Sequence, residues 1–134
     1  MTIKNGMRAA VVIALAGSAL AVAPPSLHVH LTRSDPAAGS TLPAAPRTIS
    51  LWFSEPVQIN VTSVRLTGPD SASVEVAAPV MGDGANLPVV AMVRGPMKPG
   101  RQQVRWRTMS RDGHAVSGTF AFALVPTTGT AERR

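Results

Sequence analysis

The side chains able to do coordination or acid–base chemistry are few, and they gather at two places in the sequence. There are three histidines, His28, His30 and His114, and no cysteine. A neutral imidazole nitrogen is a good donor to borderline metal ions. His28 and His30 lie two residues apart where a first strand is expected to open, so both rings can share one face. His114 closes the stretch Arg111-Asp112-Gly113-His114, in which a glycine lets the backbone turn between a carboxylate and an imidazole. If the first strand runs beside that turn, imidazoles and a carboxylate converge with no thiolate among them. Nitrogen-rich ligation of this kind suits Cu(II), and Zn(II) or Ni(II) less selectively.

Plainer readings fit the same residues. Asp-Gly between two alternating runs is the strongest short-range hairpin signal and needs no metal. A His-x-His at a strand start also serves as two exposed polar residues. Ser110, Asp112 and His114 contain the residue types of a hydrolytic triad, but a triad is assembled from separated segments around an exposed nucleophile, and no G-x-S-x-G elbow is present. Glu55 and Asp112 could form an acid pair, yet nothing in the sequence distinguishes them from surface carboxylates. From the residues alone, a metal site and a plain hairpin both stand.

The elements that must position these groups read as strands. The 134 residues are enough for one domain. A hydrophobic share of 45% against 15% charged supplies a core and argues against disorder. Twelve prolines and eleven glycines imply frequent turns and so β-structure. Apolar residues alternate at Ile49, Leu51 and Phe53, at Val64 and Leu66, and at Val74 and Val76. Val104, Trp106 and Thr108 alternate with Arg105 and Arg107, and the longest period-two set is Val116, Gly118, Phe120, Phe122 and Leu124. Residues 87–93 form a continuous apolar run whose buried face the pattern leaves open. Phe53, Trp106, Phe120 and Phe122 are the large residues expected in the core. Asp35-Pro36, Ala45-Pro46, Gly68-Pro69-Asp70, Gly82-Asp83-Gly84, Lys98-Pro99-Gly100 and Asp112-Gly113 punctuate the runs. About seven short strands with such turns predict an all-β sandwich or barrel.

The ends and the charge narrow the function classes. Residues 1–8 are short and basic, residues 9–20 are apolar, and Ala19-Leu20-Ala21 fits a small-residue cleavage pattern. The apolar stretch is shorter than the roughly 20 residues that span a bilayer. Residues 1–21 therefore read as a signal peptide, residues 22–27 as a linker, residues 28–125 as the folded domain, and residues 126–134 as a polar tail with no second apolar span. Export would place the mature chain, periplasmic or secreted, outside the reducing cytosol. Of thirteen basic side chains, Lys4 and Arg8 belong to the leader; the rest are mostly scattered arginines. Without tyrosine, and with three Phe and two Trp, the chain lacks the stacking aromatics and clustered charge of a nucleic-acid binder. The basic charge reads chiefly as solubility, with anion or membrane-surface binding the lesser option.

These motifs, taken in order, resemble the CopC family of copper-resistance proteins. His28-Val29-His30-Leu31 with Ser34-Asp35-Pro36-Ala37 resembles the H-x-H-L-x-x-S-x-P-A start of its mature members. Leu51-Trp52-Phe53-Ser54-Glu55-Pro56-Val57 is similar to its L-x-F-S-E-x-V strand. Val104 to Phe122 follows its V-x-W-x-x-x-S-x-D-G-H-x-x-x-G-x-F-x-F end through Trp106, Ser110, Asp112-Gly113-His114, Gly118 and Phe120. Met97-Lys98-Pro99-Gly100-Arg101-Gln102 stands where the family has L-x-P-G-x-Y, with the aromatic replaced.

The resemblance implies a Greek-key, immunoglobulin-like or cupredoxin-like β-sandwich. It implies a monomer that binds one Cu(II) in copper homeostasis or resistance without catalysis. A CopD-like membrane copper transporter or another copper protein is the implied partner. By position the ligands are His28, Asp112 and His114, with Glu55 nearby. Where no free amine is left on His28, His30 is the substitute ligand. Met81, Met92, Met97 and Met109 are dispersed, so a Cu(I) site is not expected. Two rival classes are an immunoglobulin-like interaction module without metal and a copper mono-oxygenase; short length and the absence of an aromatic platform disfavour the second.

Overall fold

The computed structural model describes residues 28–84 and 87–126. The leader and linker, residues 1–27, and the tail beyond Pro126 lie outside the described residues.

The alternating runs become nine strands, three of them only two residues long, in two facing sheets. They are β1 (Leu31–Asp35), β2 (Thr41–Leu42), β3 (Thr48–Phe53), β4 (Ser63–Thr67), β5 (Ser73–Val74), β6 (Val80–Met81), β7 (Val89–Met92), β8 (Gly100–Met109) and β9 (Ala115–Leu124). One sheet has the order β1-β3-β7-β6 and the other β2-β9-β8-β4-β5. The pairs are antiparallel except β2 with β9. Only the β4–β5, β6–β7 and β8–β9 connections stay within a sheet, so the chain passes repeatedly between the two layers. Among the described residues, the only helical turn in the element order is a short 3₁₀ segment, Ile59–Val61. No helix there is long and apolar enough to cross a membrane.

Period-two patterning decides which faces meet. Ile49 and Leu51 from the first sheet are fully buried against Val64, Leu66, Val104, Trp106 and Phe122 from the second. The apolar run at 87–93 resolves into β7, with Val89 and Ala91 turned into the core. Polar groups that enter the interior are mostly paired. Thr62 and Thr108 share a 2.7 Å hydrogen bond. The Gln102 amide nitrogen donates to the Lys98 and Gly100 carbonyls, while its oxygen has no protein partner.

Trp106 and Gly118 face each other across β8 and β9. A Cβ built on Gly118 would lie 2.6 Å from the Trp106 ring, so only glycine leaves the indole room to lie flat on the ribbon. The ring then meets Phe53 of the opposite sheet edge-on, with centroids 5.1 Å apart.

Two of the four aromatic residues expected in the core are less enclosed than the pattern suggests. Trp106 and Phe122 are buried; Phe53 and Phe120 are half-buried. Phe53 is the last residue of β3, at the open end of the sandwich. Phe120 lies on β9 where that strand has no outer neighbour, because β2 pairs only with Ala123 and Leu124. Phe122→Ala is expected to cost about 3–5 kcal/mol and Phe120→Ala clearly less, since the open flank already leaves part of that ring in water. Denaturant melts giving the reverse order would show that the ring assignment is wrong. Gly118→Ala should also destabilise, because a rigid buried indole cannot yield to a methyl group at that distance.

Candidate functional site

The site lies at the end of the sandwich where both sheets reach the β8–β9 loop. β8 and β9 pair without interruption up to Met109↔Ala115, leaving Ser110–His114 to close the hairpin. Gly113 has φ +90, a conformation that favours glycine, and its N–H donates to the Ser110 carbonyl at 3.1 Å. The Ser110 N–H donates to the His114 carbonyl at 3.0 Å. The Asp-Gly signal was therefore right about the turn, and the turn does not exclude further chemistry.

Ser110 organises the polar side of this loop. Its hydroxyl donates to Asp112 Oδ1 and accepts from the His114 N–H at 3.2 Å. Asp112 Oδ2 lies 2.8 Å from His114 Nδ1. An ionised carboxylate only accepts, so Nδ1 carries the proton in this contact and the Nε2 lone pair of a neutral ring points away from it. Asp112 and His114 are about two-thirds exposed, at 63% and 62%.

The second imidazole comes from the other sheet. Val29 is 3% exposed, and its burial anchors the segment ahead of β1. The Ser54 N–H donates to the His30 carbonyl at 2.8 Å, and the His30 N–H donates to Ser54 Oγ at 3.0 Å. Both flanking histidines are held in solvent by this arrangement. β1 begins at Leu31, so the histidines precede the first strand rather than open it. The His28 ring sits edge-on to the His114 ring, with centroids 5.6 Å apart.

The segment after β3 fastens the two layers below the site. Val57 forms an isolated bridge with Ser110, and the Gln58 amide donates to the Ser110 carbonyl at 2.8 Å.

Of the residues singled out from sequence, the structure sets the His28 ring against His114 and bonds His114 to Asp112. His30 is not drawn in; its Nδ1 is 3.4 Å from the His28 carbonyl oxygen. Glu55 is exposed beyond β3 and lines a hollow with Phe53, Pro56, Val57, Met81 and Leu87. No contact joins it to Asp112 or either facing imidazole among the hydrogen bonds and ion pairs of the described residues. Among the described residues, no group of three or more His, Cys, Asp or Glu side chains is placed to hold a metal ion. The arrangement is a carboxylate–imidazole pair with a second imidazole against it, open to water.

Sequence reading missed how much Ser110 and Val29 do. A hydroxyl two residues before an aspartate in a tight turn is a recognisable signal for a side-chain-capped loop. The apolar residue between two histidines is likewise the one that period two sends inward.

The electrostatics of the loop are those of a permanently charged carboxylate. Hydrogen bonds from Ser110 and then His114 hold Asp112 down from an ordinary 3.8 to about 2, against a small opposing effect of burial. The folded state therefore binds fewer protons than the unfolded one near pH 3. The contribution of Asp112 to stability is complete above about pH 4 and disappears as the pH falls towards about 2. In metal-free protein, Asp112→Asn is expected to flatten the acid limb of stability over that window, with the difference shrinking in high salt because the group is exposed. Superimposable limbs for wild type and variant in acid titration melts would show that the loop does not hold the carboxylate.

Comparison with known proteins places the chain in a family. Residues 31–125 match the model of the CopC domain. The chain is 31% identical over 97 residues to protein YobA of Escherichia coli K12, covering 72% of this chain and 78% of that protein. It is 34% identical over 103 residues to the copper resistance protein C of Escherichia coli, covering 72% and 81%. The crystal structure of PcoC, a methionine-rich copper resistance protein from Escherichia coli, superposes with a TM-score of 0.64 at 31% identity, over 73% of this chain and 99% of that one. The chain belongs to the CopC family.

Proposed function

We propose that this protein binds one Cu(II) ion as an exported carrier or buffer in copper homeostasis and resistance. The observation that carries the reading is the convergence of the His28 ring on His114, whose own ring is oriented by Asp112. Two imidazoles and a carboxylate with no thiolate form a donor set that favours Cu(II). The Nδ1–H bond to Asp112 fixes the tautomer and the ring orientation, as outer carboxylates do for metal-ligating histidines. Asp112 orients the ring through this bond, and its carboxylate would have to leave Nδ1 to reach an ion bound at Nε2. His28, Asp112 and His114 are the proposed ligands, and Glu55 is a neighbour outside direct reach.

Sequence relatives support the copper reading, two of them through names and titles that speak of copper resistance. The family match supports a carrier rather than an enzyme, and this reading assigns no catalytic step. The exposed rim position of the ligands suits transfer of copper to a CopD-like membrane transporter or another copper protein. Residues 1–21 would direct export to the periplasm or beyond, and cleavage after them would leave His28 without a free amine, so that His28 would bind through its ring alone unless His30 turned towards the site as the substitute donor. The methionines give no support for a thioether Cu(I) site: Met81 and Met92 are exposed on separate strands, and Met97 and Met109 are partly buried elsewhere.

The mature protein is expected to take up one equivalent of copper with the electron paramagnetic resonance signature of tetragonal nitrogen and oxygen ligation. Aquo-like copper at stoichiometric loading would sink the reading and favour a metal-free interaction module. His114→Ala should weaken binding by at least about tenfold in a competition titration, since alanine offers no lone pair. It should change metal-free stability by no more than about 0.5 kcal/mol, because the ring is exposed. Binding should also fall on acidification, because protons compete with the ion for its donor atoms.

A further inference from the structure

Away from the copper loop, the outward face of β4, β8 and β9 carries a group of cations that neither the fold nor the copper reading uses. Arg65, Arg105 and Arg107 are exposed and line one hollow of about 460 Å³ with Ser63, Ser117 and Thr119. Arg65 and Arg105 are directly paired across β4 and β8. Residues so opposed lie about 5 Å apart at Cα, and like charges in that position destabilise a sheet. Arg107 follows on the same face roughly 7 Å along the strand. No carboxylate answers them: the ion pairs among the described residues are Lys98–Asp70 and His114–Asp112. The hollow contains no acidic side chain.

Three guanidinium groups around one hollow, interspersed with hydroxyl donors, have the chemistry for an anion carrying more than one charge. Guanidinium presents paired N–H groups that match phosphate or carboxylate oxygens two at a time, and it is less strongly hydrated than ammonium. The hollow has the size of a small-ligand site. Serine and threonine hydroxyls can donate to the oxygens left over, which favours tetrahedral phosphate with its larger number of acceptors.

We propose that the Arg65–Arg105–Arg107 face binds clustered phosphate groups, supplied either by a soluble polyphosphate or by phospholipid headgroups. The site is independent of the copper ligands, so each can fail without the other.

The test uses metal-free protein, tripolyphosphate in solution, and vesicles of phosphatidylglycerol or of phosphatidylcholine alone. R65Q/R105Q is compared with R47Q/R94Q, which removes the same charge from exposed positions elsewhere. Tripolyphosphate is expected to raise the melting temperature of wild type, and R65Q/R105Q to weaken its binding about tenfold or more. The R47Q/R94Q protein should stay within about threefold of wild type, with the residual loss screened by salt. Tripolyphosphate binding without binding to either vesicle identifies a soluble source. Vesicle binding restricted to phosphatidylglycerol, lost in R65Q/R105Q and displaced by tripolyphosphate, identifies a lipid source; either result supports the site. Without ligand, R65Q/R105Q should melt no lower than wild type, because two opposed like charges have been removed. It should also retain full copper stoichiometry if the copper reading holds.

Equal losses in both double variants, or no binding to either phosphate source, would overturn the proposal and leave a solvated basic face. Polyglutamate binding more tightly than tripolyphosphate would overturn it in favour of an acidic protein partner.

Discussion

The unbroken register of β8 with β9 is the constraint on which the rest of the molecule depends. Ten consecutive pairs run from Gly100↔Leu124 to Met109↔Ala115. With side chains alternating at every residue, that register fixes the fate of each one: Val104, Trp106 and Thr108 face the core, and Arg105 and Arg107 face water. A slip by one residue would send guanidinium groups into the interior, at a cost the fold could not meet. Trp106 helps to hold the register, because its ring fits only over a residue with no side chain, and Gly118 is that residue. From this ribbon follow an apolar inner face, a cationic outer face, and a terminal loop whose backbone is set by the last pair.

That loop inherits its order from the ribbon. Met109↔Ala115 fixes both ends, and Ser110 then draws Asp112 and the His114 backbone together through one hydroxyl. The opposite side of the site depends on a different kind of force. Burial of Val29 anchors the segment ahead of β1, and the backbone exchange between His30 and Ser54 sets its direction. His28 meets His114 because a hydrogen-bonded hairpin and a hydrophobic anchor from the other sheet end at the same height. Neither element makes the contact alone.

This division explains what could be read from the sequence. The β8–β9 ribbon was legible because strict alternation over long runs can satisfy only one arrangement, and Asp112-Gly113 marked its turn. The candidate ligands His28, Asp112 and His114 were legible as residue types, and their order resembled a family pattern. Which of them would meet depended on contacts between sheets, which no local period encodes. His30 and His28 are equivalent by spacing and both are exposed, yet only the His28 ring faces His114, a contact between sheets that local alternation does not encode. Phe120 is equivalent to Phe122 by period, but β2 is too short to cover it. The arginine face was not legible for the same reason: residues scattered in sequence become neighbours once β4 lies beside β8.

An exposed site of this construction has a consequence for a carrier. Moving charged or strongly polar ligands into the interior costs several kcal/mol per ion unless every group is paired, and an ion caged there leaves slowly. Here the carboxylate and the ring beside it are largely exposed, and the loop beneath is ordered by the protein's own hydrogen bonds from Ser110. Ordering that the protein itself supplies lowers the entropic cost of capture. If the proposed ligands hold the ion, their exposure would keep them within reach of another protein's donors, so that copper could pass by exchange of one nitrogen or oxygen at a time without unfolding. The ribbon supplies the rigidity and solvent the lability, and a protein meant to hold copper and then surrender it needs both.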